Sequence, residues 1–253
     1  MSSDEFSLVI PARLNSLRFK KKIIYYILKL PMIEHVRRRA LLSNVKKNNV
    51  YVATSNKTII DVVKKNKGKV LITKKKHLNG TSRVSEAIKK INSKYIIIVQ
   101  GDEPLFYPED INKMITFIRK NPSYNMYNTI SSVNKNQHND KSIVKCNINQ
   151  NGEIINFFRK QNQNKKGKIR KILGIIIFKS KFLKNYSKLL ESKKEIKLSI
   201  EQFKFLDNKI KIKSIYINNN SQSVNYLSDI KKVTNELKIN FLQKKIYEKI
   251  LKL

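Results

Sequence analysis

The stretch Tyr95-Ile96-Ile97-Ile98-Val99-Gln100-Gly101-Asp102-Glu103-Pro104 decides the fold of this chain. Its first five residues are apolar and rich in isoleucine, which predicts a strand that is buried on both faces of a sheet. A polar turn follows, in which Gly101 permits close approach of a ligand to the backbone. Because ligands bind at the carboxyl ends of strands in open parallel sheets, we expect Asp102 to lie in a binding site.

Apolar runs and segments of helical periodicity alternate through the first hundred residues. The strand-like runs are 6–10, 50–53, 70–72 and 95–99, and the helical segments are 31–42, 59–63 and 84–91. This alternation predicts an α/β fold with a mostly parallel, Rossmann-like sheet, right-handed crossovers and helices on both faces.

The second half of the chain is less regular. Its strand-like runs are 143–148, 154–158, 172–178 and 209–217, with a basic loop predicted over 161–170. We expect these strands to enter the sheet and to form a lobe over one end. No long linker divides the chain, so we predict a single domain over 1–253, made of a nucleotide-binding half (1–120), the lobe (121–220) and a C-terminal helix (221–253).

The composition is strongly basic, with 54 Lys and Arg against 18 Asp and Glu and a formal charge of +36. The lysines are scattered over every segment and do not alternate with aromatic residues, so nucleic-acid binding is not expected. No apolar run is long enough to cross a membrane and the first residues do not resemble a signal peptide, so we predict a cytoplasmic protein without membrane insertion. The single cysteine, Cys146, cannot form an intramolecular disulfide and is expected to be a buried thiol.

Basic side chains follow the first predicted strand. Arg13, Ser16, Arg18 and Lys22 come after Pro11-Ala12. Guanidinium and ammonium groups stabilise phosphate oxygens, so this loop suits a nucleotide triphosphate, with a solvated basic loop as the alternative.

Asp102 is a candidate magnesium ligand, because Mg²⁺ binds one or two carboxylates together with phosphate oxygens and waters. The alternative is that Asp102 caps the helix that is predicted to begin near Pro108. The segment Gly80-Thr81-Ser82-Arg83 precedes another predicted helix, where such residues are also ordinary capping residues.

In this order, the motifs resemble the cytidylyltransferases that activate 3-deoxy-manno-octulosonate (Kdo). The matching residues are Pro11-Ala12-Arg13, Ser16, Arg18, Lys22, His77, Gly80-Thr81-Ser82-Arg83 and Gln100-Gly101-Asp102-Glu103-Pro104. The resemblance implies a nucleotide-diphospho-sugar transferase-like fold with an inserted dimerisation and sugar-binding lobe, a homodimer, and Mg²⁺ as cofactor.

The resemblance also implies roles for individual residues. Nucleotide contacts are expected from Pro11, Ala12, Arg13, Ser16, Arg18, Lys22, Gly80, Thr81 and Arg83. Contacts with the sugar acid are expected from Gln100, Arg159, Glu201 and Gln202. Asp102 and Asn225 would hold the metal, and Asp102, Lys22 and Arg18 would be the catalytic residues.

Three departures from the family pattern stand out. Lys20-Lys21 replaces the Pro-Gly of the phosphate loop. Asn225 replaces a second metal-binding aspartate, and Ile172 and Ile176 stand where the family usually has a His and a Tyr that contact the sugar. An amide oxygen is a weaker ligand than a carboxylate for a hard cation.

The expected reaction is transfer of CMP from CTP to a 3-deoxy sugar acid, with Kdo as the first candidate and pyrophosphate as the second product, for lipopolysaccharide biosynthesis. One alternative is a cytidylyltransferase for 8-amino-Kdo or a nonulosonic acid. The other is a non-catalytic homologue that binds nucleotide or RNA.

Overall fold

The computed structural model describes residues 5–16, 18–74, 76–134, 137–160, 168–218 and 221–253. The strands are β1 (Phe6–Pro11), β2 (Tyr26–Ile27), β3 (Leu30–Pro31), β4 (Val50–Thr54), β5 (Lys69–Ile72), β6 (Tyr95–Val99), β7 (Met126–Ser131), β8 (Lys145–Ile148), β9 (Glu153–Phe158), β10 (Lys168–Lys179) and β11 (Ile212–Tyr216). The α-helices are α1 (Met32–Leu41), α2 (Lys57–Lys65), α3 (Gly80–Ala87), α4 (Pro108–Lys120), α5 (Ser180–Lys184), α6 (Lys193–Leu198), α7 (Phe203–Asp207), α8 (Asp229–Ile239) and α9 (Phe241–Leu251).

The described residues form a nine-stranded sheet in the order β5-β4-β1-β6-β10-β7-β11-β9-β8, and β2 pairs with β3 in a small separate hairpin. In the first half, β5, β4, β1 and β6 are all parallel. This confirms the parallel pairing predicted for the first hundred residues. Every residue of β1 and β6 is buried, as their continuous apolar runs predict.

Alternate residues of β1 and β6 pack into different cores. Leu8 and Ile97 belong to one core, which α1 and α4 cover, while Val9 and Ile98 belong to the other, which α3 covers. Helices therefore lie on both faces of the sheet, as expected. Apolar residues recur at helical spacing in these helices because one side of each helix packs against the sheet.

The second half enters the same sheet mainly through antiparallel pairs. Strand β10 is antiparallel to β6, β7 and β8, whereas β11 is parallel to β7 and antiparallel to β9. Strand β10 begins at Lys168, so the last three residues of the loop predicted over 161–170 are in a strand, and 161–167 lie outside the described residues.

Strand β7 was not predicted, because polar residues interrupt its apolar pattern. Asn128 and Thr129 are fully buried in the middle of the sheet. The Thr129 hydroxyl donates to the Ile175 carbonyl (2.8 Å) and the Asn128 amide donates to the Thr129 carbonyl (3.0 Å). Such hydrogen bonds offset the cost of burying polar groups, and periodicity does not reveal them.

The C-terminal segment forms two helices, α8 and α9, which corrects the prediction of one. Asn240 separates them, and its side chain accepts hydrogen bonds from the backbone N–H groups of Leu242 (3.1 Å) and Gln243 (3.2 Å). Asn240 is therefore the N-cap of α9, which starts a new helix where the apolar periodicity continues. Across the described ranges, no helix is both long and apolar enough to cross a membrane.

We predict that Asn240→Ala lowers the free energy of unfolding by about 1 kcal/mol, because it removes the side-chain cap of α9. Urea denaturation followed by circular dichroism measures the change. The matched control is Asn235→Ala, at an exposed position within α8, which should leave stability unchanged or slightly raise it. Equal losses in the two variants would contradict the capping role.

Candidate active site

The predicted nucleotide-binding segments meet at the carboxyl ends of β1 and β6. A Cβ atom added to Gly80, the first residue of α3, would lie 3.0 Å from Gln100 Oε1 and 3.1 Å from Pro11 Cγ. A Cβ atom added to Gly101 would lie 2.8 Å from Ile23 Cδ1. The loop after β1, the start of α3 and the turn after β6 are therefore in close contact, and a side chain at Gly80 or Gly101 would require its neighbours to shift.

The ammonium of Lys22 is at the centre of this arrangement. Its Nζ donates to Asp102 Oδ2 (2.5 Å) and to the Val224 carbonyl (2.8 Å). The Val224 N–H in turn donates to the Asp102 carbonyl (2.9 Å). Two of the predicted catalytic residues, Lys22 and Asp102, thus form an ion pair that also holds the segment containing Asn225.

Asn225 therefore lies beside the Asp102 turn, as its predicted metal role requires. The Asp229 carboxylate fixes its backbone by accepting the N–H groups of Asn225 and Tyr226, each at 2.9 Å. Within the described ranges there is no cluster of three or more His, Cys, Asp or Glu that could hold a metal ion. One carboxylate with a neighbouring amide fits Mg²⁺ when phosphate oxygens and waters complete the coordination.

Glu103, the neighbour of Asp102, is turned into the core. It lies against Gly174 of β10 so closely that a Cβ atom there would overlap its carboxylate, and the Gly174 carbonyl accepts the N–H of Gln100 (2.8 Å). Burial, with the charge of Asp102, raises the pKa of Glu103 to about 8, although Lys171, the Gly174 N–H and Lys22 oppose the rise. The Glu103 side chain thus packs between the Asp102 turn and β10.

The phosphate loop presents exposed basic side chains. Arg13 and Arg18 are exposed, and the Arg18 guanidinium lies over the Tyr226 ring, with 5.6 Å between Cζ and the ring centroid. Arg83 is buried and its Nη1 donates to Thr73 Oγ1 (2.5 Å). Burial lowers the pKa of Arg83, and the positive charge of nearby Arg13 lowers it further. A polyanion is the natural ligand for such a pair.

The backbone of this loop is unusual at Lys21, which has a left-handed conformation with φ of 58° and ψ of 16°. Glycine adopts this conformation without the steric cost that a side chain incurs. The family pattern has glycine at this position, and Lys21 adopts a backbone conformation that glycine favours although it carries a side chain.

Two of the predicted sugar-binding residues, Gln100 and Glu201, are in contact, and a third, Gln202, follows Glu201 in the chain. Gln100 Nε2 donates to Glu201 Oε1 (3.5 Å), and Gln202 Nε2 donates to Asn128 Oδ1 (3.2 Å). Burial raises the pKa of Glu201 to about 7, against the opposing effects of Thr81 and Arg13.

Arg159 joins two loops near this group. Its guanidinium donates to the carbonyls of Leu198 (3.1 Å), Ser199 (2.8 Å), Lys141 (3.1 Å) and Ser142 (3.1 Å). These bonds engage four of its five N–H groups, as counted over the part of the chain that the structure describes. Burial lowers the pKa of Arg159, and the positive charge of nearby Arg18 lowers it further.

Sequence reasoning missed several residues that shape the site. Tyr226, which stacks with Arg18, and Asn128, which holds Gln202, carry no motif signal because their partners are far away in sequence. Gly174 could have been suspected as an isolated glycine inside a strand, which is typical of a bulge. The register of β10 against β7 does shift between Ile172 and Ile176. Ile176 is buried in the core and Ile172 packs against it.

His35 and Cys146 are packing residues, and Cys146 is the buried thiol that was expected. The His35 ring stacks on Tyr247 (centroids 5.5 Å apart), and burial lowers its pKa to about 4. Cys146 is buried in β8, and burial raises the pKa of its thiol to about 12. Neither side chain is a nucleophile or a metal ligand in this setting, since a protonated, buried thiol is inert.

Lys21→Gly is expected to raise the free energy of unfolding by up to about 1 kcal/mol, because it relieves the left-handed conformation of a residue with a side chain. Lys20→Gly is the matched control, since it removes the same charge from the neighbouring position, which does not have a positive φ. Urea denaturation compares the two. A loss of stability in Lys21→Gly as large as that in Lys20→Gly would show that no strain is present.

The raised pKa of Glu103 makes stability depend on pH. The folded chain keeps a proton on Glu103 up to about pH 8, whereas the unfolded chain releases it near the ordinary value of 4.5. The folded state binds more protons in this window, so this contribution to stability falls as pH rises from about 4.5 to 8.

Glu103→Gln should therefore become more stable relative to the wild type as pH rises through this window, and should match it most closely at pH 4.5. Melting temperatures measured at several pH values test this. Glu248→Gln, at an exposed position of α9, should show no such trend. Parallel pH profiles for wild type and Glu103→Gln would contradict the assignment.

Comparison with known proteins identifies the family. The family model described as cytidylyltransferase matches residues 8–224. The 3-deoxy-manno-octulosonate cytidylyltransferase of Arabidopsis thaliana, described as mitochondrial, is 33% identical over 234 residues, which cover 89% of this chain and 80% of that protein. The Escherichia coli protein of the same name is 30% identical, over 83% of this chain and 87% of its own length.

A solved structure supports the same assignment. The structure of a CMP:2-keto-3-deoxy-manno-octonic acid synthetase complexed with CTP superposes with a TM-score of 0.85 at 29% identity, and the match covers 92% of this chain and 98% of that chain. This confirms the predicted nucleotidyltransferase fold. The predicted motifs lie together at the carboxyl ends of β1 and β6, and the matches above show that the chain belongs to the cytidylyltransferase family.

Proposed function

We propose that the chain transfers CMP from CTP to Kdo and releases pyrophosphate. The observation that carries the proposal is the contact of Lys22 with Asp102 at the carboxyl ends of β1 and β6, where Arg13 and Arg18 also lie. The relatives named above support CTP and Kdo as the substrates. We assign the reaction to the cytoplasm and to lipopolysaccharide biosynthesis as part of this proposal.

In the proposed reaction, the anomeric hydroxyl of the sugar acid attacks the α-phosphorus of CTP. A new bond forms between that oxygen and the α-phosphorus, the bond from the α-phosphorus to the α,β-bridging oxygen of CTP breaks, and that oxygen leaves as part of pyrophosphate, while the hydroxyl proton passes to solvent. Arg13, Arg18 and Lys22 would neutralise the charge on the triphosphate and on the leaving pyrophosphate. Pro11, Ala12, Ser16, Gly80, Thr81 and Arg83 would shape the nucleotide site around them.

Asp102 and Asn225 would hold a divalent cation, with Mg²⁺ as the proposed ion. When bound, the ion supplies Lewis-acid stabilisation of the negative charge on the phosphate oxygens. The protein contributes orientation, because the Val224 N–H and the Asp229 carboxylate fix the two ligand-bearing segments. Proper positioning of reactants accounts for much of the rate enhancement in such transfers.

The sugar acid would bind beside Gln100, Glu201 and Gln202. Arg159 has one N–H left for a carboxylate among its described contacts, so we propose a single hydrogen bond from Arg159 together with the charge of nearby Arg18. Glu201, with its pKa of about 7, would accept a hydrogen bond from a sugar hydroxyl.

We also propose that residues 121–220 provide the surface of a homodimer. Large apolar side chains are exposed in this part of the chain, namely Ile155, Leu190, Ile196 and Tyr216. Exposed apolar area of this kind favours contact with another protein surface.

Pyrophosphate release with CTP and Mg²⁺ tests the function, using Kdo, 8-amino-Kdo and a nonulosonic acid as acceptors. We expect turnover with Kdo, and a decrease of at least about 100-fold in Asp102→Asn because the carboxylate that holds the cation is lost. Asp61→Asn, at an exposed position of α2, is the matched control and should keep the full rate.

The outcomes separate the alternatives. Turnover with 8-amino-Kdo or a nonulosonic acid but not with Kdo would replace the proposed acceptor and keep the reaction. Binding of CTP by the folded protein without turnover on any acceptor would indicate a non-catalytic homologue. Binding of RNA that weakens steeply with salt, without binding of CTP, would indicate the nucleic-acid alternative.

A further inference from the structure

The position next to the Asp102 carboxylate is already taken by a cation of the protein itself. Lys22 Nζ lies 2.5 Å from Asp102 Oδ2, and the side chains of Lys22 and Asp102 are only 11% and 29% exposed. The same ammonium contacts the Val224 carbonyl, directly before Asn225. Lys22 thus bridges the two segments that the proposed metal ion would bridge.

The charges around this bridge cancel. The ammonium of Lys22 neutralises Asp102, and Asn225 contributes no charge where the family pattern has an aspartate. The carboxylate of Asp229 accepts the N–H groups of Asn225 and Tyr226 and is paired with the ammonium of Lys232 (3.9 Å), and Glu103 lies against Gly174 near Lys171. The bridge therefore offers a divalent cation no net negative charge, and affinity for such ions depends on the charge of the ligands.

We infer that Lys22 is the resident cation of the metal site in the nucleotide-free chain, so that a divalent cation binds only together with the triphosphate. This inference rests on the proposed function. The triphosphate supplies the negative charge that the protein lacks, and it draws the Lys22 ammonium from Asp102 to the phosphate oxygens. The Val224 carbonyl loses the Lys22 ammonium at the same step, while the Val224 N–H and the Asp229 carboxylate still hold the segment that carries Asn225.

Asn225 is the residue that makes this order strict. An aspartate at this position would leave one negative charge next to the Lys22–Asp102 pair, and a metal ion could then bind before the nucleotide. Lys22 is likewise necessary, because a neutral side chain of similar length would leave the charge of Asp102 uncompensated. Each single change should therefore create affinity for a divalent cation in the absence of nucleotide.

Electron paramagnetic resonance of Mn²⁺ tests the inference, since Mn²⁺ prefers the same oxygen ligands as Mg²⁺ and its free and bound forms are distinguishable. Wild-type protein should bind little Mn²⁺ alone and should bind it when α,β-methylene-CTP is added. Asn225→Asp and Lys22→Met should each bind Mn²⁺ without nucleotide, at least about tenfold more tightly than the wild type.

The matched control is Asn48→Asp, which adds the same charge at an exposed position just before β4. This position lies at the amino ends of the strands, at the opposite end of the sheet from the site. It should behave as the wild type does. Asp102→Asn should bind no Mn²⁺ without nucleotide. Circular dichroism verifies that each variant is folded, and Asn225→Asp remains decisive if Lys22→Met does not fold.

Two results would overturn the inference. One is binding of Mn²⁺ to the nucleotide-free wild type as tightly as to Asn225→Asp, and the other is an equal gain in Asn48→Asp. Binding of α,β-methylene-CTP is measured separately by calorimetry. Failure to bind this nucleotide would count against the proposed function, whereas nucleotide binding with Mn²⁺ already bound would count against the order alone.

Discussion

The parallel pairing of β1 with β6 is the constraint on which the rest of the site depends. Leu8 lies opposite Ile97 and Val9 opposite Ile98, and the two strands are buried throughout. Because the strands are parallel, the loop after β1 and the turn after β6 emerge at the same end of the sheet, where the carboxyl ends of the strands lie. Lys22 and Asp102, separated by 80 residues in the chain, can therefore form an ion pair.

The antiparallel strand β10 fixes the shape of the turn that β1 and β6 position. Its register shifts between Ile172 and Ile176, and within this bulge the Gly174 carbonyl accepts the N–H of Gln100. The Glu103 side chain occupies the space that a side chain on residue 174 would need. The geometry of Asp102 thus depends on a residue about 70 positions later in the chain, and on its having no side chain.

Much of this architecture could be predicted because continuous apolar runs and helical spacing directly reflect burial. The same logic failed for β7, because buried polar side chains that form hydrogen bonds interrupt its apolar pattern. It also failed for the break at Asn240, because the apolar spacing continues across the position where the Asn240 side chain caps a new helix. In the site, strand ends predicted the location of Asp102 and of the basic loop. The partners of Arg159 could not be predicted, since they are backbone carbonyls of irregular loops.

The substitutions that separate this chain from the family pattern act in one electrostatic direction. Asn225 removes a negative charge from the proposed metal site, and Lys20-Lys21 adds positive charge to the proposed phosphate-binding loop. Both changes weaken attraction for a free cation and strengthen attraction for a polyanion, since a basic cleft concentrates anionic ligands at its surface. The left-handed backbone at Lys21 shows that the loop keeps a glycine-like geometry while carrying this charge. The excess of lysine over the whole chain has the same sign, so it favours binding of the anionic nucleotide in the same way.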